Sequence, residues 1–522
     1  MEEYGLEELA ASGEAVLAGL GPLVAGLARL AVAAGRAVTL DAMEAQVTEE
    51  GRKLLRGVVQ LGLDGQAAAE VRLGSVTGAD GVRRARARRG QARTVVTRLG
   101  PVAVRRIGYQ SGVKGAGSLF PRDAVLDLPP CGYSWALQQL AVMCCQAVSY
   151  EQGRELVLAA TGVPVGKRQL EQVVAAAAAD AERFYRDREQ DQGGEQEQVQ
   201  AGRELGPLAM SADGKGVAMR PEARRPETAR KARKRPGQAF GHRLGTGQKA
   251  GCKRMAQTGC VFDVIPQPRV PEQVMGRAPG TAGNAPRAVN RWYACDITAG
   301  RDVAIGKVFD EAERRDPDHR RTWIALADGD SCQLGWIQDQ AAARGVRVTI
   351  LVDFIHVIGY LWKAAWCFHP ARDPAAEDWV SAQGLDILHG RVTEVISRIT
   401  RLAAGHPPRP GGEHARIIRA TLHYLDAKQP FMDYPRALAE GWPIATGVIE
   451  GACRHLVADR MGITGARWGL AGAQAMLWLR AIDASGDTSA YWDWHIGQER
   501  QRNHLSKLRN PPEPQHALEL AA

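Results

Sequence analysis

Two aspartates occupy positions where a carboxylate can do chemistry. Asp213 and Asp328 each follow an apolar run that is predicted to be a strand, residues 207–212 and 322–327, and each precedes a glycine. The end of a strand holds a side chain rigidly and still leaves it open to solvent. Asp-Gly is also common turn chemistry, which is the more frequent explanation of either pair taken alone.

A third acid, Glu450, lies at the start of a predicted helix in the segment PIATGVIEGACRHLVADRM. The helix dipole by itself favours a glutamate in the first turn, so Glu450 alone does not indicate a site. Arg454 lies one turn further on, where it can pair with Glu450 or contact a phosphate. Asp353 also ends a predicted strand, residues 346–352, and is the main rival of Asp328.

The elements around these acids predict a mixed α/β domain. From residue 205 the pattern is three strands, a helix, a strand, a helix and a strand. In a ribonuclease-H-like sheet the first and fourth strands are neighbours, which would bring Asp213 and Asp328 together. Two adjacent carboxylates repel each other unless a divalent metal neutralises them. Mg²⁺, or Mn²⁺, prefers oxygen ligands, and two ions about 3.5–4 Å apart serve phosphodiester chemistry.

The positive charge of the chain is concentrated in two segments. Of 522 residues, 67 are Lys or Arg and 58 are Asp or Glu, a net charge of +9. Residues 83–114 and 220–254 each carry +10, which leaves −11 for the rest. Clustered positive charge is typical of a protein that binds a polyanion, although a single run can also be a solvated loop. The residues predicted to bind a polyanion, in these segments and in the helical region between them, are Arg83, Arg84, Arg86, Arg88, Arg89, Arg105, Arg106, Lys167, Arg168, Arg230, Lys231, Arg233, Lys234 and Arg235.

Composition and periodicity divide the chain into eight segments. They are a helical region (1–80), a basic segment with a β-hairpin (81–130), a helical region (131–189), a Glu/Gln-rich linker (190–204), the first part of the α/β core with its basic insert 220–254 (205–356), a helical insertion (357–440), the helix of Glu450 that completes the core (441–485) and a polar tail expected to fray (486–522). Residues 149–174 predict two helices around a TGVP turn, which fits either a helix-turn-helix or an ordinary helical hairpin.

Several segments carry a resemblance to a known family. They are SADGKGVAMRPEA (211–223), FDEAERRDPDHRRTWIALADGD (309–330), VTILVDFIHVIGYLWKAAWCF (348–368), GWPIATGVIEGACRHLVADRMGITGARWGL (441–470), TGVPVGKRQLEQ (161–172) and the hairpin at 93–109. On these segments the chain resembles bacterial insertion-sequence DDE transposases of the ISKra family, which are related to the Mutator superfamily. The resemblance covers most of residues 80–485.

The resemblance implies a ribonuclease-H-like catalytic domain with an all-helical insertion, preceded by DNA-binding regions. Asp213, Asp328 and Glu450 correspond to the family's metal-binding triad, with two Mg²⁺ or Mn²⁺ ions. Asp353 and His356 resemble the Mutator-type signature of Cys or Asp, two residues and His that follows the second catalytic Asp. Without the resemblance, a helix-capping or core histidine is the more frequent explanation of His356.

The implied activity is metal-dependent cleavage of the element's ends and transfer of the freed 3′-hydroxyl to target DNA. The implied partners are terminal inverted repeats and target DNA, held by a homodimer or larger assembly. Trp468 and Arg467 would help to hold the DNA end, although an aromatic at helical spacing is more often core. Two alternatives stay open: a ribonuclease-H-like nuclease without strand transfer, and a catalytically inactive DNA-binding derivative. Sugar hydrolysis by a carboxylate pair does not explain two basic segments.

Cysteine usage and the length of the apolar runs argue against a disulfide-rich, zinc-knuckle, membrane-spanning or exported protein. The nine cysteines are scattered without a CxxC pair, which argues against a disulfide framework or a zinc knuckle. The longest apolar run, residues 15–28, is too short to span a bilayer and follows glutamates where a signal peptide carries positive charge. We therefore expect a cytoplasmic, nucleoid-associated bacterial protein without a membrane partner.

Overall fold

The computed structural model describes residues 21, 24–25, 39–191, 206–233, 251–276, 285–370, 372–405, 412–463 and 465–510. The chain divides into two compact units, Met1–Phe184 with Ser489–Ala522, and Tyr185–Thr488. No helix in the described part is long and apolar enough to cross a membrane. Most of the predicted linker 190–204, Lys234, Arg235 and the side chains of Lys231 and Arg233 lie outside the described residues.

The first unit combines a long helix, a basic hairpin and a group of helices. Its elements are α1 (Leu40–Ala68), β1 (Val76–Thr77), β2 (Arg83–Arg84), β3 (Arg86–Thr97), β4 (Gly100–Gln110), α2 (Pro121–Val125), α3 (Trp135–Ala147), α4 (Tyr150–Thr161) and α5 (Lys167–Ala177). Strands β3 and β4 pair antiparallel, with Thr97 opposite Gly100, which confirms the predicted hairpin. Gly100 has a positive φ of 112°, a conformation that favours glycine.

Two arginines of the first basic segment are buried and structural. Arg84 is 3% exposed and pairs with Asp80 at 2.7 Å, and Arg106, 9% exposed, lies 3.1 Å from the carboxylate of Asp123. Side chains alternate between the two faces of a strand, so Arg106 points inward while its neighbour Arg105 points out. The prediction that Arg84 and Arg106 bind DNA is therefore corrected. The exposed members are Arg83, Arg86, Arg88, Arg89 and Arg105.

The two helices predicted around the TGVP turn are α4 and α5. Gly162 ends α4 in the left-handed conformation, and Ser149 begins it with a capping box. Lys167 and Arg168 are exposed in the first turn of α5, whereas Leu170 on the same helix is buried. Both cations are therefore accessible, and their role in binding DNA stays a prediction.

The predicted polar tail, residues 486–522, contains the helix Thr488–Asn503. Its buried side chains are Tyr491, Trp492 and His495. His495 Nδ1 lies 2.8 Å from Oδ2 of Asp180, and Arg502 Nη2 donates to Oδ1 of Asp180 at 2.6 Å. Burial opposes the charge of Asp180, but these bonds outweigh burial and lower the pKa of its carboxyl. Up to residue 510, where the described part of the tail stops, the expectation of fraying is wrong, because three large side chains anchor the helix in the first unit.

The second unit contains a five-stranded mixed sheet and the remaining helices, and α6 (Ala181–Asp191) precedes it in the chain. Its elements are β5 (Leu208–Ala218), α7 (Pro226–Arg233), β6 (Lys253–Ile265), α8 (Pro271–Val274), β7 (Arg287–Asp296), α9 (Arg301–Arg315), β8 (Trp323–Ala327), α10 (Ser331–Arg344), β9 (Val348–Val352), α11 (Phe354–Phe368), α12 (Pro374–Leu388), α13 (Val392–Gly405), α14 (Glu413–Lys428), α15 (Tyr434–Ala439), α16 (Gly447–Ala452), α17 (Asp459–Met461) and α18 (Leu470–Ala484). The predicted mixed α/β class is confirmed.

The strand order of the sheet is β7-β6-β5-β8-β9. β6 is antiparallel to β5 and to β7, whereas β8 is parallel to β5 and to β9. The first and fourth strands of this unit are therefore neighbours, as the sequence predicts. The last parallel pair between β5 and β8 is Ser211 with Leu326, so Asp213 and Asp328 each lie two residues beyond it.

Strand β5 does not end before Asp213. It continues to Ala218 because β6 pairs with it over its full length, from Leu208 opposite Asp263 to Ala218 opposite Lys253. Asp213 therefore lies inside β5, at the point where the shorter strand β8 has already ended. The long antiparallel ladder explains why the apolar run underestimates the strand.

The core between the sheet and helices α9 and α10 supports this edge. Phe309 and Trp323 are fully buried there, and their ring centroids are 6.1 Å apart. A side chain at Gly259 would place a Cβ 2.4 Å from Val308, so glycine lets α9 approach β6 closely. The helical insertion begins at Phe354 and not at 357, since α11 starts directly after Asp353.

Candidate metal centre

Asp213 is positioned by hydrogen bonds that the two residues before it make to β8 and α10. The hydroxyl of Ser211 donates to the carbonyl oxygen of Leu326 at 2.7 Å, and the buried Gln333 donates to the carbonyl oxygen of Ala212 at 2.6 Å. These bonds fasten β5 to β8 and α10 just before the aspartate. The Asp213 side chain is 38% exposed, and its Oδ1 accepts from the backbone of Gly214. Asp213 is therefore rigidly held and accessible.

Asp328 is both a turn residue and an accessible carboxylate. Its Oδ1 accepts from the backbone of Asp330 at 2.9 Å, and Asp330 in turn caps α10. Gly329 has a φ of +89°, and a Cβ there would lie 2.9 Å from the hydroxyl oxygen of Tyr424. Tyr424 donates that hydroxyl to the carbonyl oxygen of Asp328 at 3.3 Å. The side chain of Asp328 remains 35% exposed, so the turn and an open carboxylate coexist.

A single arginine lies beside both aspartates. The Arg301 side chain is 22% exposed, with Nη2 4.0 Å from Oδ1 of Asp213 and Nη1 4.0 Å from Oδ2 of Asp328. The carboxylates on β5 and β8 thus share one positive charge. Sequence reasoning missed Arg301 because no local pattern links it to either aspartate.

Asp353 is a buried hydrogen-bond acceptor. It is 1% exposed, and its Oδ1 accepts from the backbone of Ile355 at 2.7 Å, which caps α11. Its Oδ2 accepts from the hydroxyl of Thr446, and the backbone N–H of Thr446 is 3.3 Å away. His356 Nδ1 also lies 3.3 Å from Oδ2. Asp353 therefore ties the end of β9 to the loop before α16.

Glu450 lies closer to this buried acid than to the two exposed ones. One ligand atom each from Asp353, His356 and Glu450 lies within 4.8 Å of the others, the one such group of three in the described part of the chain. His356 and Glu450 are exposed, and Thr446 Oγ1 is 3.4 Å from Glu450 Oε1. The predicted triad is thus divided: Asp213 and Asp328 share Arg301, and Glu450 lies with Asp353 and His356.

Cys453 connects the helix of Glu450 to Asp213. It follows Glu450 by three residues, and burial, followed by the negative charge of Asp213, raises the pKa of its thiol. Tyr424 makes a similar connection, because burial raises its pKa first and the charges of Asp328 and Asp353 add to that effect. The four acids therefore occupy one neighbourhood of the sheet edge, in two pairs.

A π-helical turn, Cys453–Ala458, follows α16. Turns of this kind are rare and often occur at functional sites. Arg480 of α18 donates to the carbonyl oxygen of Leu456 at 2.9 Å and also to that of His455. Arg454 is exposed on this turn, and among the described residues no ion pair joins it to Glu450. Its predicted contact with phosphate stays a prediction.

Replacing Arg480 with methionine should destabilise the second unit. Methionine keeps most of the side-chain volume but leaves the carbonyls of His455 and Leu456 without their donor, at a cost of about 2 kcal/mol. The melting temperature should fall by about 4–8 °C in differential scanning calorimetry. Arg467→Met, at an exposed position of the same unit, is the control and should leave it unchanged. Equal melting temperatures for both variants would contradict the role of Arg480.

Trp468 belongs to the core. It is 8% exposed, and its Nε1 donates to the carbonyl oxygen of Met461 at 3.2 Å. Its backbone forms an isolated parallel β-bridge with Met219, the residue that follows β5. The predicted contact between Trp468 and a DNA end is corrected, because its ring is buried. Arg467 is exposed beside it.

Comparisons with protein-family models and with curated proteins find no match for this chain. The geometry of the sheet edge and the resemblance in the sequence therefore carry the functional argument.

Proposed function

We propose that the chain is a metal-dependent DNA transposase that cleaves the ends of an insertion sequence and joins them to target DNA. One observation carries the proposal: β5 and β8 are parallel neighbours, and two partly exposed carboxylates, Asp213 and Asp328, follow their last shared pair. The order β7-β6-β5-β8-β9, with one antiparallel strand next to the first, supports a ribonuclease-H-like core.

The donor set fits divalent metal. Asp213 and Asp328 are like charges that follow the last shared pair of two adjacent strands, and their side chains reach solvent. Carboxylate oxygens are the ligands that Mg²⁺ and Mn²⁺ prefer. Bound metal would lower the pKa of the attacking water or hydroxyl and stabilise the leaving oxygen. Asp213 and Asp328 would hold the metal, and basic side chains of this chain would hold the negatively charged DNA phosphates.

Glu450 is the third carboxylate of the proposal. It is exposed, and its neighbour Cys453 lies beside Asp213. A change of its side-chain rotamer would turn it from His356 toward the two aspartates, because a glutamate has three rotatable bonds. Asp353 would act differently: it would hold Thr446 and the start of α11, and thereby position Glu450.

Exposed cations in the first unit supply the proposed DNA contacts. Arg83 is exposed on β2, Arg86, Arg88 and Arg89 are exposed on β3, and Lys167 and Arg168 are exposed at the start of α5. Arginine and lysine contacts to phosphate give affinity without sequence preference and depend steeply on salt. The partners would be terminal inverted repeats and target DNA, bound by a homodimer or larger assembly. Arg230 is exposed in α7 and belongs to the second basic segment.

The purified protein should cut and join DNA taken from both sides of its own gene. Labelled linear duplexes from these flanks are incubated with a supercoiled target plasmid in Mg²⁺, in Mn²⁺ or in excess EDTA. We expect cleavage at defined positions and covalent joining of labelled ends to plasmid, both abolished by EDTA. Cleavage without joining would favour a ribonuclease-H-like nuclease. Binding without either product, in both metals, would favour an inactive DNA-binding derivative and overturn the proposal.

A further inference from the structure

Arg301 occupies the place where a cation would neutralise both exposed aspartates. Each terminal nitrogen of its guanidinium faces a different carboxylate, at 4.0 Å from Asp213 and 4.0 Å from Asp328. Charge-assisted hydrogen bonds in proteins are shorter, about 2.7–2.9 Å. Arg301 therefore interacts with the two carboxylates as an ion pair and does not form a bidentate hydrogen bond with either of them.

A hydrogen-bonded turn between β7 and α9 positions Arg301 beside the two aspartates. Oδ1 of Asp296, at the end of β7, accepts from the backbone and hydroxyl of Thr298, both at 2.7 Å, and from the backbone of Ala299 at 2.9 Å. Arg301 is then the first residue of α9. The positive end of the helix dipole disfavours a cation in the first turn. The carboxylates of Asp213 and Asp328 offset that cost, so the position of the charge depends on them.

We propose that Arg301 is the internal counter-ion of Asp213 and Asp328, and that divalent metal must displace it to bind between them. The inference rests on the proposed function, since it assigns metal to these two carboxylates. A Mg²⁺ ion binds carboxylate oxygens at about 2.0–2.1 Å and carries twice the charge of the guanidinium. Metal can displace Arg301 because its ion-pair distances are long and its side chain is partly exposed. Arg301 offsets one of the two negative charges of Asp213 and Asp328 before metal and DNA arrive.

Removing this cation should therefore strengthen metal binding. Mn²⁺ affinity of the full chain without DNA is measured by electron paramagnetic resonance titration. Arg301→Gln should bind Mn²⁺ about tenfold more tightly than the wild type, because one positive charge a few ångströms from the ion is removed. Arg301→Lys keeps the charge and should stay within about threefold of the wild type. Arg301→Ala serves as a second neutral variant, and circular dichroism verifies that each variant is folded.

Two further variants serve as controls for the Mn²⁺ titration. Arg320→Ala removes one cation from the same unit, but Arg320 is 81% exposed and lies before β8, at the opposite end of that strand from Asp328. It should leave the Mn²⁺ affinity within about twofold of the wild type. Asp213→Asn removes one carboxylate that Arg301 faces and should weaken Mn²⁺ binding.

The outcomes separate this inference from the proposed function. If Asp213→Asn weakens binding but neither neutral Arg301 variant strengthens it beyond Arg320→Ala, the counter-ion role is overturned and the metal site stands. If Asp213→Asn also leaves the affinity unchanged, metal does not bind at these carboxylates, and both proposals fail. If the neutral variants bind Mn²⁺ more tightly but the wild type neither cuts nor joins DNA, the counter-ion role stands and the transposase assignment fails.

Discussion

Asp328→Asn should abolish DNA cleavage while leaving the fold and DNA binding intact. Asparagine keeps the oxygen that accepts from the backbone of Asp330 at 2.9 Å, so the turn into α10 is preserved. It removes the negative charge that would hold divalent metal, and the rate in Mg²⁺ should fall at least about 10³-fold. Gel-based cleavage of flanking-DNA duplexes measures the rate, and a mobility shift at fixed salt measures binding.

Asp318→Asn is the matched control for this loss. Asp318 is 62% exposed and pairs with Arg320 on the surface of the same unit, away from the sheet edge. Its substitution should leave the cleavage rate within about twofold of the wild type. Full activity in Asp328→Asn would contradict the assignment and move the metal site to Asp353, the rival acid at the end of β9.

Asp353→Ala should destabilise the second unit strongly, in contrast to Asp328→Ala. The substitution leaves the backbone N–H groups of Ile355 and Thr446 without their side-chain acceptor, and it leaves the Thr446 hydroxyl only its 3.4 Å contact with Glu450 Oε1. Loss of a buried, hydrogen-bonded charge costs about 3–5 kcal/mol. The melting temperature in calorimetry should fall by about 10 °C. Asp328 is partly exposed, and Asp328→Ala should shift the melting temperature by less than about 3 °C.

A double-mutant cycle with Thr446→Val tests the reason for this destabilisation. If Asp353 acts through Thr446, the two substitutions should be non-additive by at least about 1 kcal/mol in urea unfolding. Additive costs would show that the bond between them does not account for the loss. A second possibility is that Asp353 binds metal with His356 and Glu450. Asp353→Asn would then abolish the rise of the melting temperature that we expect Mg²⁺ to cause in the wild type, whereas our assignment expects the variant to keep that rise.

The order of strands and helices in the second unit was predictable because its signals are local. Strands β8 and β9 are short apolar runs, and β8 is buried at every residue from Trp323 to Ala327, as central parallel strands are. A helix with a clear start, at Asp330 or at Asp353, follows each of them. The predicted bounds of β8 and β9 differ from the structure by one or two residues, whereas β5 extends six residues beyond its predicted end.

The environment of individual side chains was not predictable in this way. Arg84 and Arg106 belong to a basic run, yet both are buried beside an acid. Asp80 precedes Arg84 by 4 positions, and Asp123 follows Arg106 by 17. Trp468 lies beside Met219, far away in the chain. Burial is decided by which face of a strand or helix packs against a distant segment, and charge or composition alone does not contain that information.

The sequence by itself determined that Asp213 and Asp328 follow apolar strand segments and that Glu450 begins a helix, because hydrophobic patterns and turn residues act over a few positions. Only the tertiary structure decided what each acid faces. Pairing of β8 with both β5 and β9 puts Asp213, Asp328 and Asp353 at one sheet edge, where Arg301 lies between the first two and Thr446 donates to the buried third. These contacts join residues 25 to 115 positions apart, and long-range pairing in the sheet creates them.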